Sequence, residues 1–419
     1  MTQGIKPQVL AAGAIGNVLE WYDFAIYGFL APVIAAQFFP SENRITSLIA
    51  AFGVLAAGYF MRPIGGLLIG HIGDRKGRKP ALMLSIAMMA VPTGLIAILP
   101  DYAAIGIAAP VLLTLIRLVQ GISVGGEYTG SIVFLTERAP KNHRALVGSA
   151  GLISGNCGML LASAVAALIS TVMPAEELAE WGWRLAFLPG PVIGAVGYFL
   201  RRHIHESDEL RKDLSHHRTP ISEVVRDHRR SMLELGAFSA SIGVAYYIAF
   251  VYLTTYLTDV VKTESADALD MNTAAIVFLI MCMPIFAWLS DRIGRKPVML
   301  AGSAGLLIFA YPLFLLLHSG DVTLELIGDF SMAFLIAAFG GPAAARMVEF
   351  FPHRVRFTGV SVAYSLPMGV LGGSTPLVAT WLIAETGNQF SPAFYLMAFA
   401  AVGVVAMLLV DETRTKDLD

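Results

Sequence analysis

Apolar residues recur along the chain in twelve long runs, at about 12–38, 47–70, 80–99, 105–136, 145–171, 184–200, 232–258, 272–289, 298–318, 323–348, 357–384 and 391–410. A bilayer core takes roughly 20 mostly apolar residues per helix, so the pattern predicts twelve transmembrane helices with little chain outside the membrane. The first run holds Glu20 and Asp23 and has no small-residue cleavage site behind it, so it is expected to stay in the mature protein rather than leave as a signal peptide. Composition agrees: 56% of the residues are hydrophobic and only 14% charged, against about 25% charged in soluble domains. An ordinary soluble globule is excluded. The 40 glycines let helices approach closely, and the 21 prolines mark kinks and loop ends.

The formal charge of −2 favours neither a nucleic-acid surface nor an acidic tail, so the placement of charge matters more than its sum. Of the 29 Lys and Arg residues, 23 fall in one alternating set of loops, including eight in the segment 201–230. The opposite set holds Arg44 and Lys262, with Arg184 at a helix boundary. Basic loops face the cytoplasm, so both termini and residues 201–230 are expected there, in a multi-pass membrane protein. Cys157 and Cys282 both lie in apolar runs and read as packing residues, which leaves no disulfide framework and no Cys-rich metal site.

The polar segment divides the chain after six runs, and the same motif stands on either side of it. Asp74-Arg75-Lys76-Gly77-Arg78-Lys79-Pro80 returns as Asp291-Arg292-Ile293-Gly294-Arg295-Lys296-Pro297, identical at six of seven positions. Glu137, Pro140 and Arg144 return as Glu349, Pro352 and Arg356. Two six-helix units in parallel orientation follow, 1–200 and 231–419, joined by a cytoplasmic linker at 201–230.

The pattern from Gly70 through Lys79 resembles the loop 2–3 signature of the major facilitator superfamily, and its return in the second half is typical of that fold. Within it, the stretch from Gly16 to Phe24, Arg62-Pro63-Ile64-Gly65-Gly66, and Arg117-Leu118-Val119-Gln120-Gly121 through Gly125-Gly126-Glu127 are similar to the metabolite:proton symporter family. The resemblance implies an all-α integral membrane protein with two pseudo-symmetric six-helix bundles. It also implies uptake of a small organic acid or osmolyte across a bacterial inner membrane by alternating access, in a family with citrate, 2-oxoglutarate, shikimate and proline/betaine carriers. The energy source would be the proton gradient, with no cofactor. A monomer in the lipid bilayer would suffice. Osmosensing proline/betaine members can carry a long C-terminal coiled coil, whereas this sequence stops about nine residues past the twelfth run, so osmosensing of that type is not expected.

An ionisable residue at membrane depth costs at least a few kcal/mol and by default faces a cavity or a partner. Glu20 and Asp23 share one face of the first helix with Asn17 and Tyr27 nearby, an arrangement suited to binding a proton or, equally, to an ion pair with an arginine. In the fourth helix Arg117, Gln120, Val124, Glu127 and Ser131 form a single stripe. Arg117 and Glu127 lie roughly 15 Å apart along it, so each needs another partner. The resemblance assigns proton transfer to the helix 4 arginine, while its planar fork also suits a substrate carboxylate. Arg62 and Arg346 come from opposite halves and are expected either to clamp an anionic ligand or, for Arg346, to pair with Glu349 three residues on. Asn156, Ser239, Ser241, Tyr246, Tyr247 and Tyr364 are candidates for cavity lining. By resemblance Asp74, Arg78, Glu137, Arg144, Asp291 and Arg295 form an inner gate, and His205-Glu206-Ser207 an inner anchor.

No P-loop occurs, so ATP is not the energy source. The fifth helix lacks the proline typical of drug/proton antiporters in the superfamily, which favours symport. His203, His205, His216 and His217 lie in the polar loop without metal-site geometry, and no nucleophile or metal cluster suits an intramembrane enzyme. A channel or transporter-like receptor would share the fold. Three membrane arginines point to a carboxylate-bearing metabolite. The alternative is a proline/betaine-type zwitterion, whose cation would sit among aromatic rings.

Overall fold

The computed structural model describes residues 7–65, 68–69, 72, 78–123, 127–137, 139–202, 224, 226–416 and 418. The twelve expected positions are filled by α1 (Pro7–Phe29), α2 (Arg44–Gly65), α3 (Arg78–Ile98), α4 (Ala108–Ser123 with Glu127–Glu137), α5 (Arg144–Val172) and α6 (Pro189–Arg202) in the first half. The second half has α7 (Arg229–Val261), α8 (Ser265–Ile293), α9 (Arg295–Leu317), α10 (Val322–Gly340 with Ala343–Glu349), α11 (Arg356–Thr386) and α12 (Ser391–Leu409). Among the described residues nine of these are long and apolar enough to cross a bilayer outright. A tenth is the bent pair Ile15–Phe29 and Ala31–Phe38, which turns by 66°. The first expected run therefore turns a sharp corner at Leu30, with Pro32 in the first turn of the helix that follows.

Helices pack first within their own half: α1 on α5, α3 on α4 and α6, α7 on α11 and α12, and α9 on α10 and α12. Small residues set the spacing. A Cβ on Gly121 of α4 would lie 1.9 Å from the Gly58 carbonyl oxygen of α2, and one on Gly158 of α5 would lie 2.3 Å from the Val18 carbonyl oxygen of α1. With no hydrophobic effect between helices in lipid, such close approach gains dispersion contact that larger side chains would forbid.

The halves meet along α5 and α8, α2 and α11, and the second part of α4 against α10 and α11. Three helices depart from regular geometry where they face this interface. α7 widens to π-turns at Ile248–Tyr252 and Leu257–Val261, α11 does so at Met368–Gly372 beside Pro367, and α10 breaks at Gly341–Pro342. Such irregular turns cluster at functional sites because they free backbone groups and re-aim side chains. The interface is bridged at both ends. Arg44 reaches Asp259 at 2.5 Å on one side, and Arg356 reaches Glu137 at 2.7 Å on the other.

Candidate transport pathway

A wholly buried polar cluster lies inside the first half. Asp23, on α1, accepts from Arg117 Nη1 at 2.6 Å, Gln120 Nε2 at 2.7 Å and Thr93 Oγ1 at 2.5 Å. Gln120 closes the ring by accepting from Arg117 at 2.9 Å and donating to Thr93 at 3.0 Å. The guanidinium carbon of Arg117 lies 4.6 and 4.5 Å from the ring centroids of Phe24 and Tyr27. Asp23 and Arg117 are both wholly buried. The i, i+3 spacing of Arg117 and Gln120 puts both on one side of α4, and the same spacing puts Glu20 and Asp23 on one side of α1, where each takes a different arginine. Breaking a buried pair by removing one partner costs about 3–5 kcal/mol, so this cluster is poised to respond to any change in the charge of Asp23.

Glu20 pairs with Arg62 of α2, and the Arg62 guanidinium also lies 5.3 Å from the Tyr59 ring centroid. Asn17 donates to Ser131 and Ser154, tying α1 to α4 and α5. Tyr27 donates to the Ala51 carbonyl at 3.0 Å.

Between the halves is a cavity of about 50 Å³. Trp21, Tyr128 and Asn156 line it from the first half, and Tyr246, Tyr364 and Met368 from the second, with Leu152, Phe238, Ile242, Leu279, Met283, Ile336 and Met347 among its apolar walls. None of the described residues lining it carries a formal charge. The Trp21 ring lies 5.6 Å from Tyr128 and 5.5 Å from Tyr246, and Tyr128 lies 5.9 Å from Tyr364. Tyr246 donates to Asn156 Oδ1 at 2.6 Å across the interface. Trp21 Nε1 is buried without a hydrogen-bond partner among the described residues, an unused donor at the wall. Tyr247 packs 5.3 Å from Tyr59, next to the cavity rather than on it.

The end of the helices with the repeated motifs holds a second network. Asp291 accepts from the backbone N–H groups of Ala145 and Leu146 at 3.1 and 2.9 Å, satisfying the first turn of α5 from the other half. Arg295 joins Asp291 at 2.6 Å to Glu349 at 3.2 Å. Arg144 lies 3.9 Å from Glu349 and donates to the Lys416 carbonyl at 2.8 Å. Gly294 has φ +114, and a Cβ there would lie 2.5 Å from Glu412 Oε2, so glycine is required by both conformation and space. Glu412 accepts from the backbone N–H of Arg295, Lys296, Thr413 and Arg414. Burial pushes its carboxyl upward, but these four donors outweigh that and hold it below the usual carboxylate range.

The structure thus divides the expected site residues among three places. Asp23, Arg117 and Gln120 meet in one cluster, with Tyr27 over the guanidinium. Asn156, Tyr246 and Tyr364 meet at the cavity. Glu137, Arg144, Asp291 and Arg295 meet at the motif end. Arg62 and Arg346 are not brought together: Arg346 donates to the Asp411 carbonyl and Thr413 Oγ1, both at 2.7 Å, and Glu349 is held by Arg295 and Thr413. Asp74 and the side chains of Arg78 and Glu127 lie outside the described residues. Sequence reasoning passed over Thr93, Trp21 and Tyr128 as site residues. It also passed over Glu325 and Asp329, two carboxylates inside the tenth apolar run that the intramembrane-charge rule alone would have flagged.

The sequence profile of the Sugar (and other) transporter family matches this chain over residues 9–209 and again over 201–419. The chain belongs to that family and is a membrane transporter of the major facilitator fold. It is similar to the proline/betaine transporter of Salmonella typhimurium, with 31% identity over 98% of this chain and 84% of the relative. A putative proline/betaine transporter of Staphylococcus aureus is 35% identical over 96% of this chain and 87% of that protein. Among solved structures it resembles a D-xylose–proton symporter, with a TM-score of 0.76 and 20% identity over 98% of this chain and 99% of that one. A partially occluded, inward-open xylose transporter from Escherichia coli gives a TM-score of 0.77 at 18% identity, over 98% and 99%.

Proposed function

We propose that this transporter is a proton-coupled symporter of a small zwitterion of the proline or betaine kind, working by alternating access in a bacterial inner membrane with both termini in the cytoplasm. The observation that carries the substrate reading is the uncharged, aromatic cavity. A carboxylate-only substrate calls for an uncompensated cation at the binding place, whereas Arg62 and Arg117 are already paired with Glu20 and Asp23, and Arg346 is bound to the C-terminal segment. A quaternary or secondary ammonium gains about 2 kcal/mol or more over a desolvated aromatic face, and Trp21, Tyr128, Tyr246 and Tyr364 supply four. The unused Trp21 N–H is the neutral donor at this wall that is left for the carboxylate end, since the Asn156 amide already donates to the Leu152 carbonyl and Met283 Sδ. The two relatives named as proline/betaine transporters point the same way.

For coupling, Asp23 is the proton carrier and Arg117 its counter-ion. Protonation of Asp23 releases Arg117 from its carboxylate partner, and the released guanidinium reorganises the α1–α4 contact that borders Trp21. The motif-end network of Asp291, Arg295, Glu349, Arg144, Glu137 and Arg356 holds the halves together on one side and must part when that side opens. Thermal unfolding of the purified protein tests the substrate class, since a ligand at 100 times its Kd adds about 2.7 kcal/mol of stability. Glycine betaine or proline is expected to raise the midpoint, and citrate or 2-oxoglutarate to leave it unchanged. A rise with the carboxylates alone overturns the reading.

A further inference from the structure

Asp329 sits within the first part of α10, is 1% exposed, and neither of its carboxyl oxygens has a hydrogen-bond partner among the described residues. It stands at i relative to Ile336 (i+7) and Gly340 (i+11), both of which line the cavity, so it shares the helix stripe that faces the substrate place. Seven residues of helix put it roughly 10 Å beyond Ile336, toward the end opposite the motif network.

The elements packed around α10 offer it no charge partner. On α10 itself, Glu325 one turn away accepts from Thr263 Oγ1 at 3.2 Å. α9 brings Leu313 and Leu317 against the neighbouring Gly328, and its titratable groups at this level, Tyr311 and the following His318, contact Phe390 and Tyr256. On α8, Asp267 and Asp270 are exposed and Cys282 is buried; on α7, Tyr252 and Tyr256 are buried and Asp259 holds Arg44. None of these bonds to Asp329. An isolated carboxylate anion in such surroundings has neither donor nor counter-ion to offset its lost hydration, so the site accommodates the neutral acid.

We infer that Asp329 is a second proton-binding site of the carrier, in the half of the molecule opposite Asp23, loaded in the closed state and exchanged when the outer ends of α7, α8 and α10 part and admit water. The inference rests on the symport reading, which it deepens by adding a proton: two carboxyl groups, one in each half, would each move one proton per cycle. Asp23 has three donors awaiting its anion, one of them the Arg117 cation, whereas Asp329 has none among the described residues. The two groups therefore differ in which form the closed protein favours.

Two measurements on the full-length protein test it. In proteoliposomes with the membrane potential clamped at zero, a carrier that moves two protons reaches a limiting accumulation about tenfold higher per unit of pH gradient than one that moves one. Asp329→Asn is expected to lower the limiting glycine betaine accumulation about tenfold at a one-unit gradient while counterflow exchange persists. Equal accumulation ratios in Asp329→Asn and the wild type would overturn the second site. Independently of transport, the infrared carbonyl band of protonated carboxylic acids in the wild type is expected to lose one component in Asp329→Asn. An unchanged band would also overturn it. A wild type that retains this band but shows no pH-driven accumulation would count against the symport reading and not against the proton on Asp329.

Discussion

Arg117 Nη1 lies 2.6 Å from Asp23 Oδ2, and neither side chain has any exposed surface. A buried pair of this kind is weak support for stability as such, since desolvation offsets most of the attraction. Its value here is as a switch, because protonating the acid changes the environment of a cation that α1 and α4 share.

Asp23→Asn is therefore expected to abolish uphill, pH-driven accumulation while leaving counterflow exchange at least partly intact. The amide imitates the protonated acid but has no proton to give up. Wild-type accumulation in the Asn variant, measured in right-side-out vesicles, would remove Asp23 from the mechanism.

Arg117→Lys is expected to transport nearly as poorly as Arg117→Ala, with both variants inserted at normal levels. The planar guanidinium bonds Asp23 and Gln120 while lying over Phe24 and Tyr27, and an ammonium on a flexible stem reproduces the charge without that geometry. Uptake near the wild-type rate in the Lys variant would show that charge alone suffices.

At the cavity, Tyr364→Ala is expected to weaken glycine betaine binding about tenfold and Tyr364→Phe far less, because the ring face rather than the hydroxyl would contact the cation. Isothermal titration of the purified variants separates the two. Equal losses in Phe and Ala would assign the role to the hydroxyl.

The C-terminal segment gives a pH prediction. The Glu412 carboxyl is held below its ordinary value in the folded protein, so its stabilising contribution is fully present above the unfolded value of about 4.3 and fades as pH falls through the lower folded value. Glu412→Gln is expected to lower the unfolding temperature at neutral pH, with the gap to the wild type narrowing in acid. A gap that widens in acid would contradict the assignment.

Much of this architecture is legible in the sequence because lipid forces long apolar runs and the inner motif repeats almost unchanged. The i, i+3 spacing of Glu20 and Asp23 places both on one face of the first helix, but it does not show which arginine each takes, since that depends on the crossing of α1 with α2 and α4. Arg346 shows the limit of reading charge by depth. Its run predicts a membrane cation, yet the break at Gly341–Pro342 starts a new helical segment whose arginine meets Asp411 and Thr413 from a segment 65 or more residues away. The aromatic cavity is legible only in part, through Tyr246 and Tyr364, for a related reason. Trp21, Tyr128, Tyr246 and Tyr364 stand on four different helices, and no local pattern announces that they converge.

The most direct measurement is uptake of labelled glycine betaine by proteoliposomes under an imposed inward pH gradient, with unlabelled proline and unlabelled citrate as competitors. The account predicts accumulation above the external concentration, collapse when a protonophore dissipates the gradient, and inhibition by proline but not by citrate. Accumulation of citrate with no uptake of betaine, or betaine flux indifferent to the pH gradient, would contradict it.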